Sequence, residues 1–145
     1  MQLDLSDDGD LLRINDALRD GLFVPEGVLW DGDRGELRLD VWVAGPETAA
    51  VRRVLPFLWK VQPKYICHRL VLHGAETVAI ELKDEGANLF DAIGWRSPGT
   101  LEITIGGNGR IELRGARILG RLSVTDDMPP ADLGWHLAVS RLAPT

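Results

Sequence analysis

Several stretches of this chain alternate apolar and polar residues with a period of two, which is the pattern of a β-strand that buries one face. In Glu36–Val43 every odd-numbered residue is apolar, and every even-numbered residue is charged except Trp42. Leu101–Ile105 and Arg110–Arg114 repeat the pattern on either side of Gly106–Gly109, whose glycines and asparagine tolerate the positive φ angles of a tight turn. The sequence therefore predicts antiparallel strand pairs, each with one buried and one solvated face.

Other segments have the same strand character and are bounded by turn residues. We predict further strands at Val28–Asp31, Tyr65–His73, Thr77–Leu82, Ile118–Val124 and Trp135–Leu142. The strand Val28–Asp31 should form a hairpin with Glu36–Val43. The link Gly74–Glu76 predicts another hairpin, between Tyr65–His73 and Thr77–Leu82. About seven to nine short strands with frequent turns are typical of two packed sheets or a barrel. The predicted fold class is mainly β: an antiparallel two-sheet sandwich or partly open barrel with one to three short helical turns.

Helical turns are predicted at 15–21, 46–55 and 88–94. Each begins with Asn or Pro, two residue types that favour a helix N-terminus, and each ends at or before Gly or Pro. Phe57–Val61 lies between two prolines, which cannot donate ladder hydrogen bonds, so it is predicted to be at most an edge strand.

Size and composition indicate one globular domain over residues 1–145. The chain is 45% hydrophobic and 26% charged, and it has no apolar run near the roughly 20 residues that span a bilayer. Within the domain we distinguish an acidic N-terminal segment, 1–20, and a polar linker at 125–132 before a C-terminal strand. Cys67 has no second cysteine to pair with, and the first residues lack the pattern of a secretory leader, so a cytoplasmic location is expected.

Charge is unevenly distributed along the chain. The net charge of −6 opposes binding to nucleic acid, whose affinity for proteins rests on a cationic surface. Residues 1–20 carry −4, whereas residues 48–75 contain no acid and carry +5. Segments of opposite sign are expected to lie against each other, either within one molecule or between two copies.

Residues able to carry chemistry form no catalytic set that we can identify, and we predict no catalytic residue, metal or cofactor. Cys67 and His68 should point to opposite faces of one strand. Cys67 and His73 share a face but lie about 20 Å apart at ~3.3 Å per residue, too far for one zinc ion. His68 and His136 remain candidates for the lining of a pocket, and the sequence predicts that His68 faces inward.

Aromatic and basic residues are the candidates for a binding surface. Trp42 lies on the charged face of its strand, so a loop, a second subunit or a ligand should cover it. Trp59, Lys60, Lys64 and Tyr65 interleave aromatic and basic types within the stretch that has no acid. Such a mixture is suited either to stacking nucleic-acid bases or to receiving an acidic partner.

Two functional hypotheses follow from these patterns. The first is a non-enzymatic binding or interaction domain, in the form of an immunity- or antitoxin-like protein or of a self-associating module. Its partner would be another protein or a second copy, with neither nucleic acid nor membrane expected. The alternative is a small-molecule-binding protein or enzyme, with a pocket between sheets lined by His68 and His136.

Overall fold

The computed structural model describes residues 1–82, 86–130 and 133, together with the backbone of 136–138. The fold is mainly β, with 62% strand and 11% helix, as the sequence predicts. The elements in chain order are β1 (Gln2–Asp4), α1 (Asp8–Leu18), β2 (Leu22–Phe23), a 3-10 turn (Pro25–Gly27), β3 (Val28–Asp31), β4 (Glu36–Leu55), β5 (Leu58–His73), β6 (Thr77–Glu81), β7 (Asn88–Ser97), β8 (Thr100–Ile105), β9 (Gly109–Arg114), β10 (Leu119–Thr125) and β11 (His136–Ala138).

The strands form one antiparallel sheet that does not close into a barrel. Its order is β1-β10-β5-β4-β2-β7-β8-β9-β6, with β3 added beside β4 and β11 beside β5. The short strand β2 joins the two halves of this order, because Leu22 pairs with Trp42 on one side and with Leu89 on the other.

The two halves of the sheet share one hydrophobic core. The core contains Leu37 and Leu39 from β4 together with Ile103 and Ile111 from β8 and β9, all essentially inaccessible to solvent. It also receives the apolar face of α1. The alternation in the sequence therefore identified the buried positions of these strands correctly, because residues two apart point to the same face.

Two of the predicted hairpins are confirmed, and one is wrong. β3 pairs with β4, and β8 pairs with β9, through the expected turns. β6 pairs with β9, not with β5. The chain turns away after β5 at Gly74, which has a φ of +91° and lies so close to the backbone that a Cβ there would be 2.3 Å from the Arg117 carbonyl oxygen.

Helix α1 is longer than the predicted turn at 15–21 and begins earlier. Asp7 caps it, and its side chain accepts hydrogen bonds from the backbone of Gly9 and Asp10. Asn15 lies inside the helix, where its side chain accepts from the backbone N–H of Ile93 at 2.8 Å and donates to the carbonyl of the same residue at 3.0 Å. Asn15, which the sequence suggested as a helix cap, therefore joins helix α1 to strand β7.

The helical turns predicted at 46–55 and 88–94 are wrong, because both segments are strands within β4 and β7. Each gains a partner strand, β5 in the first case and β8 with β2 in the second, and ladder pairing overrides the local preference. The prediction that Phe57–Val61 is at most an edge strand is wrong. Beyond the turn, this segment belongs to β5, which pairs with β4 on one side and with β11 on the other. Within the predicted strand Trp135–Leu142, the structure describes His136–Ala138, and the remainder lies outside the described residues.

Candidate functional site

A second, smaller apolar cluster lies on the face of the β4–β5 pair that is turned away from the main core. It consists of Trp42, Tyr65, Cys67 and Leu133, with Leu22 and Ala87 packed at its margin. Trp42 is only 5% exposed. The cover predicted for this tryptophan is therefore supplied by the chain itself, and Leu133, beyond the segment expected to be a linker, is part of it.

Polar residues beside this cluster form a compact ionic group, which we call the Asp40 cluster (Arg38, Asp40, Cys67, Arg69 and Asp127). Arg69 lies opposite Asp40 in the β4–β5 register and donates to both of its carboxylate oxygens, at 2.9 and 3.2 Å. The same guanidinium donates to Asp127 at 2.7 Å, and Arg38 donates to Asp40 at 3.1 Å. Since Asp127 follows β10, the group attaches the segment leading to Leu133 to the central hairpin.

Burial and hydrogen bonding act in opposite directions on Asp40. Burial disfavours the charged carboxylate, but the hydrogen bonds from Arg69 and Arg38 outweigh it and hold the pKa of Asp40 below its ordinary value. Burial raises the pKa of the Cys67 thiol, which keeps it protonated and unreactive. The cluster is therefore a neutralised ionic group beside an inert thiol.

The Asp40 cluster also contains ligands of the type that bind metals. A carboxylate oxygen of Asp40, one of Asp127 and the sulfur of Cys67 all lie within 4.8 Å of one another. The guanidinium of Arg69 already contacts both carboxylates, so a positive charge stands between them. A metal ion would have to displace that arginine, and the donor set fits a guanidinium better than a metal ion.

Beyond the cluster, β4 and β5 continue as a projecting hairpin, which we call the arm (residues 48–64). Its two strands pair with each other over about 25 Å, and β11 pairs with Trp59–Val61 along one edge of the arm. Phe57 at the turn is 82% exposed, and Val51, Val54 and Leu55 are also exposed. Contiguous exposed apolar residues of this kind are typical of interaction sites.

Four cations accompany the apolar residues of the arm, which has no acid. Arg52 lies directly opposite Lys60 in the ladder, and Arg53 lies over the ring of Trp59 at 6.0 Å. Lys64 pairs with Glu47 at 3.5 Å. Because the whole chain carries −6 and the arm +4, the remaining residues, which we call the body, carry −10.

The candidate binding residues from the sequence fall in two different environments. Trp59, Lys60 and Lys64 belong to the arm, with both lysines exposed. Trp42 and Tyr65 are buried in the second cluster at the base of the arm. Three of the five therefore belong to the arm, where the consecutive residues Trp59 and Lys60 point to opposite faces of β5, and the other two are buried at its base.

The structure contains a cavity whose described lining does not include His68. That cavity, of about 470 Å³, is lined by residues of β1, β10 and their neighbours, including Asp4, Asp10, His73, Arg117 and Arg121. His68 is half-buried, and its Nδ1 lies 3.3 Å from the carbonyl oxygen of Ile66. His136 pairs through its backbone with Val61, and its side chain lies outside the described part of the chain.

Sequence reasoning missed the Asp40 cluster. The available signal was the alternation that put Asp40 on a solvated face and the presence of Arg69 in the stretch without acids. What was lacking was the β4–β5 register, which brings the two residues together across the ladder.

Comparison of the chain with protein-family models, curated proteins and solved structures found no match. None of the helices in the described residues combines the length and apolar character needed to cross a membrane. The functional argument therefore rests on the geometry of the chain itself.

Proposed function

We propose that the protein is a non-enzymatic interaction domain of the cytoplasm that binds a protein partner through its arm. The observation that carries the proposal is the exposure of Phe57, Leu55 and Val54 at the end of a long hairpin, near Arg52 and Lys60, which form no ion pair within the described part of the chain. Burying such apolar residues against a partner contributes roughly 25 cal/mol per Å². The cations select a partner surface of negative charge.

The immunity- or antitoxin-like form of this function uses both regions of the molecule. The arm supplies apolar contacts, and the acidic body attracts a basic toxin. The self-associating form needs no foreign partner, because the body offers the acidic surface that the arm requires.

The alternative, a pocket between sheets lined by His68 and His136, has less support. The space between the two halves of the sheet is filled by the apolar side chains of the main core. The 470 Å³ cavity contains His73 beside Asp4 and Asp10, so a small-molecule site would use a different histidine from the two that the sequence suggested.

Site-specific photo-crosslinking in cells that produce the protein naturally tests the arm. We would replace Phe57 with p-benzoylphenylalanine and, as a control of matched exposure, Met128, which is 87% exposed and lies in the body. We expect one discrete protein adduct at Phe57, lost when Arg52→Glu and Arg53→Glu are added, and none at Met128. No adduct at Phe57, or the same adducts at both positions, would contradict the proposal.

A further inference from the structure

The exposed side of α1 carries acidic residues, which the arm lacks. Asp8, Leu12 and Asp16 recur at four-residue spacing, so they form one stripe along the helix. All three are exposed, and Leu12 is 59% exposed although it is a large apolar residue. The opposite side of α1 packs into the main core, so this stripe is available to another molecule.

The arm has the complementary pattern. Arg52 and Lys60 lie directly opposite each other in the ladder, and neither has an ion-pair partner among the described residues. Like charges at directly opposed positions destabilise a β-ladder. Val54, two residues further along the chain at a register shift of the ladder, is also exposed. Two cations and an apolar residue on the arm thus match two acids and an apolar residue on α1.

Among the described residues, no ion pair joins the arm to α1 of the same molecule. Ladder pairing from Val51 with Val61 to Leu55 with Leu58 keeps the arm extended. The acids of α1 that form ion pairs in the described structure do so locally, Asp10 with Arg13 and Asp16 with Arg19. The cations of the arm and the acids of the stripe are therefore both open to contact with a second molecule.

We propose that the partner of the arm is a second copy of this chain, in a reciprocal dimer in which each arm lies on the Asp8–Leu12–Asp16 stripe of the other copy. A two-fold axis makes both contacts identical and closes the assembly at two chains. Each contact relieves the repulsion between Arg52 and Lys60 and covers Val54 and Leu12. This inference rests on the proposed binding role of the arm and names its partner.

Light scattering coupled to size-exclusion chromatography measures the assembly. We expect about twice the chain mass of 16.0 kDa in about 50 mM salt, and dissociation towards the monomer in about 500 mM salt, because screening weakens exposed charge pairs. A wild-type monomer at both salt concentrations would overturn the proposal.

Charge exchange between the two surfaces tests their pairing. The arm variant is Arg52→Glu with Lys60→Glu, and the helix variant is Asp8→Lys with Asp16→Lys. Each alone should bring two surfaces of like charge together and raise the dimer dissociation constant about tenfold or more. An equimolar mixture should recover a dimer that contains one copy of each, since both of its contacts then join opposite charges.

A matched control carries Arg114→Glu with Arg117→Glu, which makes the same change in net charge on exposed residues of the body. We expect this variant to dimerise like the wild type. Circular dichroism should first establish that every variant is folded. If the mixture of arm and helix variants stays monomeric, or the arm variant alone still dimerises, the reciprocal contact is wrong. A foreign-protein adduct at Phe57 in the crosslinking experiment would then still support the proposed function with a different partner.

Discussion

The same two strands contribute to the buried core of this protein and to its exposed arm. Where β4 and β5 cross the body, Leu39 and Leu70 have almost no solvent exposure, whereas in the arm Leu55 and Phe57 are 58% and 82% exposed. Ladder hydrogen bonds are present in both regions, so they do not explain the difference. The body is stabilised by burial between two halves of a sheet and a helix, and the arm leaves its apolar residues for a contact outside the monomer.

The largest effect on stability should come from the main core. Ile103→Ala removes a fully buried side chain, and we expect a loss of about 2–5 kcal/mol in the free energy of unfolding, measured by urea denaturation. Ile80→Ala, the same change at a half-exposed position on β6, is the control and should cost much less. Equal losses at the two positions would mean that the body does not owe its stability to the shared core.

The next largest effect should come from the Asp40 cluster at the base of the arm. Asp40→Asn leaves Arg69 and Arg38 without their common carboxylate, and we expect a loss of about 1.5–3 kcal/mol in denaturant titrations. Glu81→Gln breaks an exposed pair with Arg110 at 3.5 Å and should cost about 0–1 kcal/mol. If both variants behave alike, the cluster contributes no more than an ordinary surface pair.

Low pH should remove part of the stability that Asp40 contributes to the folded state. Because the folded-state pKa of Asp40 is below its ordinary value, its contribution to stability is complete above the unfolded-chain pKa of about 4 and is lost as pH falls through the lower folded value. The difference in unfolding free energy between wild type and Asp40→Asn should therefore be constant near neutral pH and shrink below about pH 4. A difference that does not change with pH would exclude a charged Asp40 as its source.

The smallest effect on stability should come from the arm. Phe57→Ser removes an apolar side chain that is already in water, so the monomer should change by less than about 0.5 kcal/mol. Thermal unfolding in about 500 mM salt, where the proposed dimer is dissociated, is the appropriate measurement. A large loss under these conditions would show that the arm packs on the body, and the comparison between the two regions would fail.

Local pattern was sufficient for several strands of the body, among them β8 and β9, but not for every element. The turns around Gly32–Gly35 and Gly106–Gly109 and the inward residues of β8 and β9 follow from residue chemistry over a few positions. The segments 46–55 and 88–94 do not, because a proline or asparagine start is compatible with both a helix and a strand until a partner strand is present.

The sequence by itself determined that this chain forms antiparallel strands with one buried face, and it also determined the uneven charge that separates the arm from the body. Only the tertiary structure decided that β6 pairs with β9, that Asp40 meets Arg69 and Asp127, and that Trp42 is covered by the chain itself. The physical reason is that a period of two depends on each strand's own residues, whereas pairing and register depend on which distant strands bury their faces together.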